Sequence, residues 1–222
     1  ELIRRRVGIP LDIVGIADQD ITADRGIRLG HGILTTDVQQ LIDNPQTDIV
    51  VELIGGLEPA KKFIVAALEK GKPIVTANKA LLAVHGEEIY ATAQRYGVDI
   101  GFEASVGGGM PIIRTLREGL AGEKVHTIYG IINGTANYIL TKMNEEEVSF
   151  QDVVAEAQRA GFAEADPSTD IEGLDSAHKL AILINLAFGT PVDLENVYTE
   201  GVTSIGSLDL EAAREFGYTI KL

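Results

Sequence analysis

Cysteine and tryptophan are absent from this 222-residue chain. Without cysteine there is no disulfide scaffold, no thiolate zinc site and no thiol nucleophile. Thiol-dependent aldehyde dehydrogenation and thioredoxin-like chemistry are excluded together. Basic residues are few: 19 Lys and Arg against 33 Asp and Glu give a formal charge of -14. Nucleic acid and anionic membrane would both repel such a surface, so neither is expected as a partner. No apolar stretch approaches the roughly 20 residues needed to span a bilayer, and the opening "ELIRRRVGIP" lacks the apolar core of a signal peptide. These absences suit a cytoplasmic protein. A hydrophobic content of 45% and 24 glycines fit a packed α/β chain rather than disorder.

Short apolar runs alternate with helical periods. "LDIVGIADQD", "TDIVVELIGG", "KPIVTANK" and "VDIGFEAS" each read as a strand ending in a polar or glycine turn. Between the second and third, residues 58–71 place Phe63, Ile64, Ala67 and Leu68 on one helix face and stop at glycine. Residues 11 to about 104 therefore predict successive βα units of a parallel sheet covered by helices. Past residue 105 the texture changes. "GGGMPIIRTLREGLAG" and "GTANYILTKMNEE" read as helical, "KVHTIYGIIN" as an antiparallel strand, and "SLDLEAAREFGYTIKL" as a helix followed by a strand.

A dinucleotide-binding unit normally opens with a strand and G-x-G-x-x-G, whose glycines let backbone amides reach a pyrophosphate. That motif is missing: "GHGILT" and "GGGMPI" both fail at the last position. Asp18 nevertheless ends a strand, where the acid that holds an adenosine ribose belongs; a turn acid capping the next helix is the equally weighted alternative. The simplest expectation is that "ELIRRRVG" is the tail of the first helix, that the first strand and its glycine loop precede residue 1, and that the chain is a fragment.

Asp175 and Lys179, in "TDIEGLDSAHKLAILINLAFG", stand one turn apart at the threshold of an apolar helix, on a face that continues into Leu183 and Leu186. Alone, the pair reads as a surface salt bridge worth roughly 0.2–0.5 kcal/mol. His178 lies about 100° around the helix from Lys179 and is given no catalytic role. His31, His85 and His126 have no metal-ligand spacing.

The segments "VVELIGG", "VTANKALLA", "FEASVGGGMPIIRTLREGL", "IYGIINGTANYIL" and "AGFAEADPSTDIEGLDSAHKLAILINLAFG", in this order, resemble the homoserine dehydrogenases. The resemblance runs through most of the chain and is closest over residues 103–189. It implies α/β architecture: a Rossmann-like nucleotide-binding domain over residues 1–105, followed by an α+β catalytic and dimerisation domain over 106–222. It further implies NAD- or NADP-dependent interconversion of L-homoserine and L-aspartate 4-semialdehyde, in threonine and methionine biosynthesis, by a homodimer. Family members also carry a further segment beyond residue 222 that completes the nucleotide domain.

By that resemblance Lys179 exchanges the hydroxyl proton. Burial would ease proton release from its ammonium and the neighbouring Asp175 would oppose it. Glu164 and Asp175 hold the substrate's amino group, with Asp170 either in the substrate shell or a helix cap; unaided, these acids read as a solvated loop. Lys79 is implied to sit near the nicotinamide and the reacting oxygen, with a solvated helix-start lysine as the alternative. Gly161 and Gly55 are implied cofactor contacts, and at Gly161 a helix C-cap is compatible too. The carbonyls of Glu103, Val106, Gly108 and Met110 are implied ligands of a sodium ion, against a tight turn without one. Asp18 leans toward NAD, whereas Arg25, the nearest cation, would favour the phosphate of NADP.

Two other readings remain open on the residues. One is a catalytically silent dimerisation or binding fragment. The other is a different nicotinamide oxidoreductase acting on another amino acid, aspartate-semialdehyde dehydrogenase being disfavoured by the missing cysteine. A parent that also carries an aspartate kinase or a threonine-responsive regulatory domain is not legible from these residues.

Overall fold

A computed structural model describes residues 2–146 and 148–222. The chain divides into two compact units. The first runs to Thr76 and resumes over Glu88–Gly101; the second comprises Ala77–Glu87 and Phe102–Leu222.

In the first unit the expected strands form where apolar runs meet polar turns. β1 (Ile16–Ala17) pairs in parallel with β2 (Leu34–Thr35), and β3 (Val50–Glu52), β4 (Ile74–Thr76) and β5 (Ile100–Gly101) form a parallel sheet in the order β3-β4-β5. "LDIVGIADQD" contributes only two residues to a strand, and β2 lies in "GHGILT", which carries no clear strand pattern. α1 (Leu2–Val7) precedes β1, and α2 (Val38–Asp43) starts on Asp37, whose side chain accepts the N–H groups of Gln39 and Gln40. α3 (Ala60–Glu69) buries Ile64, Ala67 and Leu68, the face its periodicity predicts, and its chain turns at Gly71. α4 spans Lys79–Tyr96, its residues divided between the two units. The core of the first unit is built on Ile42, Ile64, Leu68, Ile74 and Ile89.

One buried polar contact ties the carboxyl ends of β3 and β4. The Thr76 hydroxyl donates to Glu52 Oε2 at 2.6 Å, while Glu52 Oε1 accepts the N–H groups of Ile54 and Gly55 at 2.7 and 3.0 Å. Both side chains are buried, so the carboxylate depends on these donors in place of water. The contact fixes the turn "LIGG", in which Gly55 and Gly56 have φ of 77° and 69°.

The second unit is helical among the described residues. A short 3₁₀ turn (Glu103–Ser105) precedes α5 (Ile112–Arg114), which continues as a π turn over Thr115–Gly119. α6 (Thr135–Glu146), α7 (Phe150–Arg159), α8 (Ser168–Ile171), α9 (Leu174–Phe188) and α10 (Ser207–Glu215) follow. Ile139, Met143, Val153 and Leu210 form one apolar cluster, and Ala136, Leu140 and Val202 an adjoining one. The strands expected in "KVHTIYGIIN" and after α10 are not formed among the described residues. Alternation predicts which face a strand would bury, but a ladder also needs a neighbouring strand to take its hydrogen bonds.

The corner between α8 and α9 is set by close approach. Gly173 has φ of 81°, and a Cβ there would lie 3.0 Å from Thr199 Cγ2 and 3.2 Å from the Glu200 carbonyl oxygen. Gly201 would meet the Ile171 carbonyl oxygen at 2.6 Å, and the Val202 N–H donates to that oxygen at 2.7 Å. Only glycine satisfies both the left-handed backbone and the contact at position 173.

Thr76→Val, which leaves the Glu52 carboxylate short of a buried donor, should lower the unfolding free energy of the full-length protein by about 1–3 kcal/mol. Thr76→Ser keeps the hydroxyl and should lose less than half as much in the same denaturant titration. A loss in Thr76→Val no larger than that in Thr76→Ser would show that the hydroxyl contributes no more than the packing of the methyl group.

Candidate active site

At the start of α9 the carboxylate of Asp175 is buried, with 5% of its side chain exposed, and three nitrogen donors converge on it. Lys179 Nζ reaches Oδ2 at 2.6 Å across one helical turn. Asn133 Nδ2 donates to the same oxygen at 3.0 Å. Lys79 Nζ pairs with Oδ1 at 3.1 Å. All four residues belong to the second unit. The first turn of a helix favours a negative side chain, which adds to the stability of this carboxylate.

Lys179 is held from two sides. Besides Asp175, its Nζ donates to the Ile132 carbonyl oxygen at 2.7 Å, and 17% of its side chain is exposed. An ammonium has three donors, so these bonds leave one for a ligand. Lys79 opens α4, next to Asn78, whose side-chain oxygen accepts the Leu81 N–H. At 38% side-chain exposure Lys79 is the more open of the two lysines. The isolated surface salt bridge is thus replaced by a lysine–aspartate–lysine arrangement, one carboxylate oxygen facing each ammonium.

Asp170 joins this network through Asn133, which donates to its Oδ1 at 2.6 Å. Neither Asn133 nor this bridge is legible as a site feature in the sequence; the only signal is an Asn beside the start of a helix, which suggests a cap. His178, discounted on the helical wheel from Lys179, is three positions from Asp175 and close enough to feel both Asp175 and Lys79. Burial lowers its pKa, the Lys79 charge lowers it further, and Asp175 opposes both. Its Nδ1 is buried with no hydrogen-bond partner among the described residues.

Other expected residues lie outside this cluster. Glu164 is exposed, and its backbone carbonyl accepts the Gln158 side-chain amide at 3.1 Å. Gly161 follows α7 with φ of 76° and open space where a Cβ would sit. The neighbouring Phe162 carbonyl accepts the Thr135 hydroxyl at 3.1 Å, which brings this loop to the start of α6. In the first unit Asp18 pairs with Arg25 at 2.8 Å and accepts the Asp20 N–H. Gly55 lies in the turn held by Glu52.

In the "EASVGGGM" segment both carboxylate oxygens of Glu103 accept backbone N–H groups, from Ile113 at 2.7 Å and Arg114 at 2.9 Å. The Glu103 carbonyl accepts the Val106 and Gly107 N–H groups, and the Met110 carbonyl accepts that of Ile112. The segment is therefore a sequence of tight turns ahead of α5. No group of three or more His, Asp or Glu side chains suited to a metal ion occurs among the described residues.

Burial raises the Asp175 pKa, but hydrogen bonds from Lys179, Asn133 and Lys79 and the charge of Lys179 outweigh it and hold the carboxyl below its ordinary value. A depressed carboxyl stabilises the fold above its unfolded pKa, near 3.8, and that stability is lost as pH falls through the folded value. His178, also depressed, contributes stability above its unfolded value of 6.5 that is lost as pH falls from there toward its folded pKa. Chemical denaturation across pH should therefore show a loss below pH 6.5 that His178→Gln flattens. A second loss, below about pH 3.8, should be flattened by Asp175→Asn. Wild-type slopes in either variant would remove that residue from the titration.

Two family models cover nearly the whole chain: homoserine dehydrogenase, NAD binding domain, over residues 1–103 and homoserine dehydrogenase over residues 111–222. The homoserine dehydrogenase of Bacillus subtilis (strain 168) is 47% identical over 220 residues, covering 99% of this chain and 51% of that protein. The crystal structure of a homoserine dehydrogenase from Thiobacillus denitrificans is 49% identical, with a TM-score of 0.92 over 100% of this chain and 51% of that one. A hyperthermophilic archaeal homoserine dehydrogenase in complex with NADPH is 32% identical, with a TM-score of 0.72 over 78% of this chain and 53% of that one. The chain thus spans about half the length of the curated relatives it matches. With both of its regions matched and such identity along its length, the chain belongs to the homoserine dehydrogenase family.

Proposed function

We propose that the full-length protein is an NAD(P)-dependent dehydrogenase that interconverts L-homoserine and L-aspartate 4-semialdehyde. The observation that carries this reading is Lys179, held between the Ile132 carbonyl and the buried Asp175 with one donor left over. When bound, the nicotinamide supplies the hydride acceptor for the carbinol carbon. Lys179, as the amine, takes the hydroxyl proton as the carbonyl forms; as the ammonium, it returns that proton in reduction. Lys79, anchored on the other Asp175 oxygen, supplies positive charge to the reacting oxygen.

A carboxylate offers about four lone-pair sites, and Asp175 uses three of them on Lys179, Asn133 and Lys79. The remaining one suits the substrate ammonium, shared with Glu164 from its exposed loop and with Asp170 beside Asn133. The residues also suit a dinucleotide. The Gly55–Gly56 turn stands at the carboxyl end of β3 with open space over both glycines, and Gly161 offers the same close approach. Asp18 addresses the adenosine ribose, with Arg25 beside it to meet a 2′-phosphate, so these residues suit both NAD and NADP.

A sodium ion on the carbonyls of Glu103, Val106, Gly108 and Met110 belongs to this proposal. Carbonyl oxygens carry two lone pairs, so Glu103 and Met110 can accept their N–H groups and still ligate. Residues 1–105 form the nucleotide-binding domain and 106–222 the catalytic and dimerisation domain of a cytoplasmic homodimer. Exposed Tyr129, Tyr198, Leu208 and Phe216 in the second unit support a partner surface there.

Lys179→Ala in the full-length protein should cut kcat with L-homoserine by roughly 10²–10⁴-fold, while NADPH binding followed by fluorescence stays within a few-fold. Unchanged turnover would remove the proton-transfer role, and a wild type inactive on L-homoserine with both cofactors would overturn the reading.

A further inference from the structure

Two acids of the site, Asp170 on α8 and Asp175 on α9, are joined by a single side chain. Asn133 Nδ2 spends one N–H on each, at 2.6 Å to Asp170 Oδ1 and 3.0 Å to Asp175 Oδ2. Its Oδ1 accepts the Ala136 N–H at 2.8 Å, in the first turn of α6. The amide orientation follows from these partners. A backbone N–H can only donate and an ionised carboxylate can only accept, so oxygen faces α6 and nitrogen faces the two acids. Asn133 is 5% exposed, and two carboxylates brought together without donors between them would favour protonation of one.

The backbone on either side of this amide is gripped as firmly. The preceding carbonyl, of Ile132, receives Lys179 Nζ. The Asn133 carbonyl accepts Asn137 Nδ2 at 2.8 Å, and Asn137 in turn exchanges two hydrogen bonds with the Leu222 backbone. Residues 132 and 133 therefore set three things together: the position of Lys179, the spacing of the two acids, and the start of α6.

We propose that Asn133 is a positioning residue that bridges the carboxylates of Asp170 and Asp175 and thereby holds Lys179 and Lys79 in register for the reaction. The inference rests on the proposed dehydrogenase activity for its kinetic consequence but not for its electrostatic one. Among the described residues, the charged and titratable groups joined to this network are Lys79 from α4, Asp170 from α8, and Asp175, His178 and Lys179 from α9. Two positive charges balance two negative ones, with His178 neutral above its depressed pKa. Asn133 lets the second acid enter this set without an additional cation.

Asn133→Asp keeps an oxygen for the Ala136 N–H and replaces both donors with a third negative charge. Asn133→Ser keeps a cap-forming hydroxyl and removes the bridge without adding charge. In the full-length protein, the carboxyl titration of Asp175 followed by ¹³C NMR should move upward in both variants, further in Asn133→Asp. The plateau kcat with L-homoserine should fall about tenfold in Asn133→Ser with the KM for NADP unchanged. An Asp175 titration at its wild-type position in a folded Asn133→Ser would overturn the proposal, whatever happened to turnover, and leave the residue as a cap of α6. If the wild type proved inactive on L-homoserine, the dehydrogenase reading alone would fail, since the NMR titrations still decide the role of Asn133.

Discussion

A buried carboxylate with three donors around it is the constraint on which the second unit is arranged. Asp175 is removed from water at the head of α9, and an ion so placed persists only where charge and hydrogen bonds replace its hydration. Here the replacements come from α4, α9 and the segment before α6. None of these elements can shift independently without uncovering the charge. Gly173 in the α8–α9 corner and Gly201 in the segment packed against it fix where the helix begins and therefore where the carboxylate points.

In the proposed reaction, the same arrangement suits to proton exchange a lysine that would otherwise fit a surface ion pair. A solvated Lys179 would wander among rotamers and pair weakly. Held by the Ile132 carbonyl and Asp175, it has one orientation and one unspent donor. Lys79, more exposed and bound to the opposite oxygen of the same acid, complements it. The charge stabilising the fold is also the charge that orders the two ammonium groups. A separate polar anchor in the first unit, between Glu52 and Thr76, orders the turn after β3 by the same means.

Much of this was legible from residue pattern. The parallel strands β3, β4 and β5 follow from apolar runs ending in turns, and α3 from a 3.6-residue period that stops at Gly71. The i, i+4 relation of Asp175 to Lys179 was visible, but their burial was not, because burial depends on what packs above them. Asn133 escaped notice for a related reason: its acidic partners lie 37 and 42 positions away, beyond any local period. The proximity of His178 to Asp175 and Lys79 is not visible from its angle to Lys179 on the helical wheel, and follows instead from its place three positions after Asp175. "KVHTIYGIIN" alternates as a strand should and forms no ladder among the described residues, since alternation specifies a face and not a partner.

A double-mutant cycle on Asp175 and Lys179, read by denaturant unfolding of the full-length protein at pH 7, tests the central interaction most directly. Asp175→Asn alone leaves the partly buried Lys179 ammonium without its counter-charge and should cost about 3–5 kcal/mol. Combining it with Lys179→Met should recover part of that loss, giving a coupling energy of about 1–3 kcal/mol. Losses that add to within about 0.5 kcal/mol would show the two side chains to be energetically independent and would contradict the account.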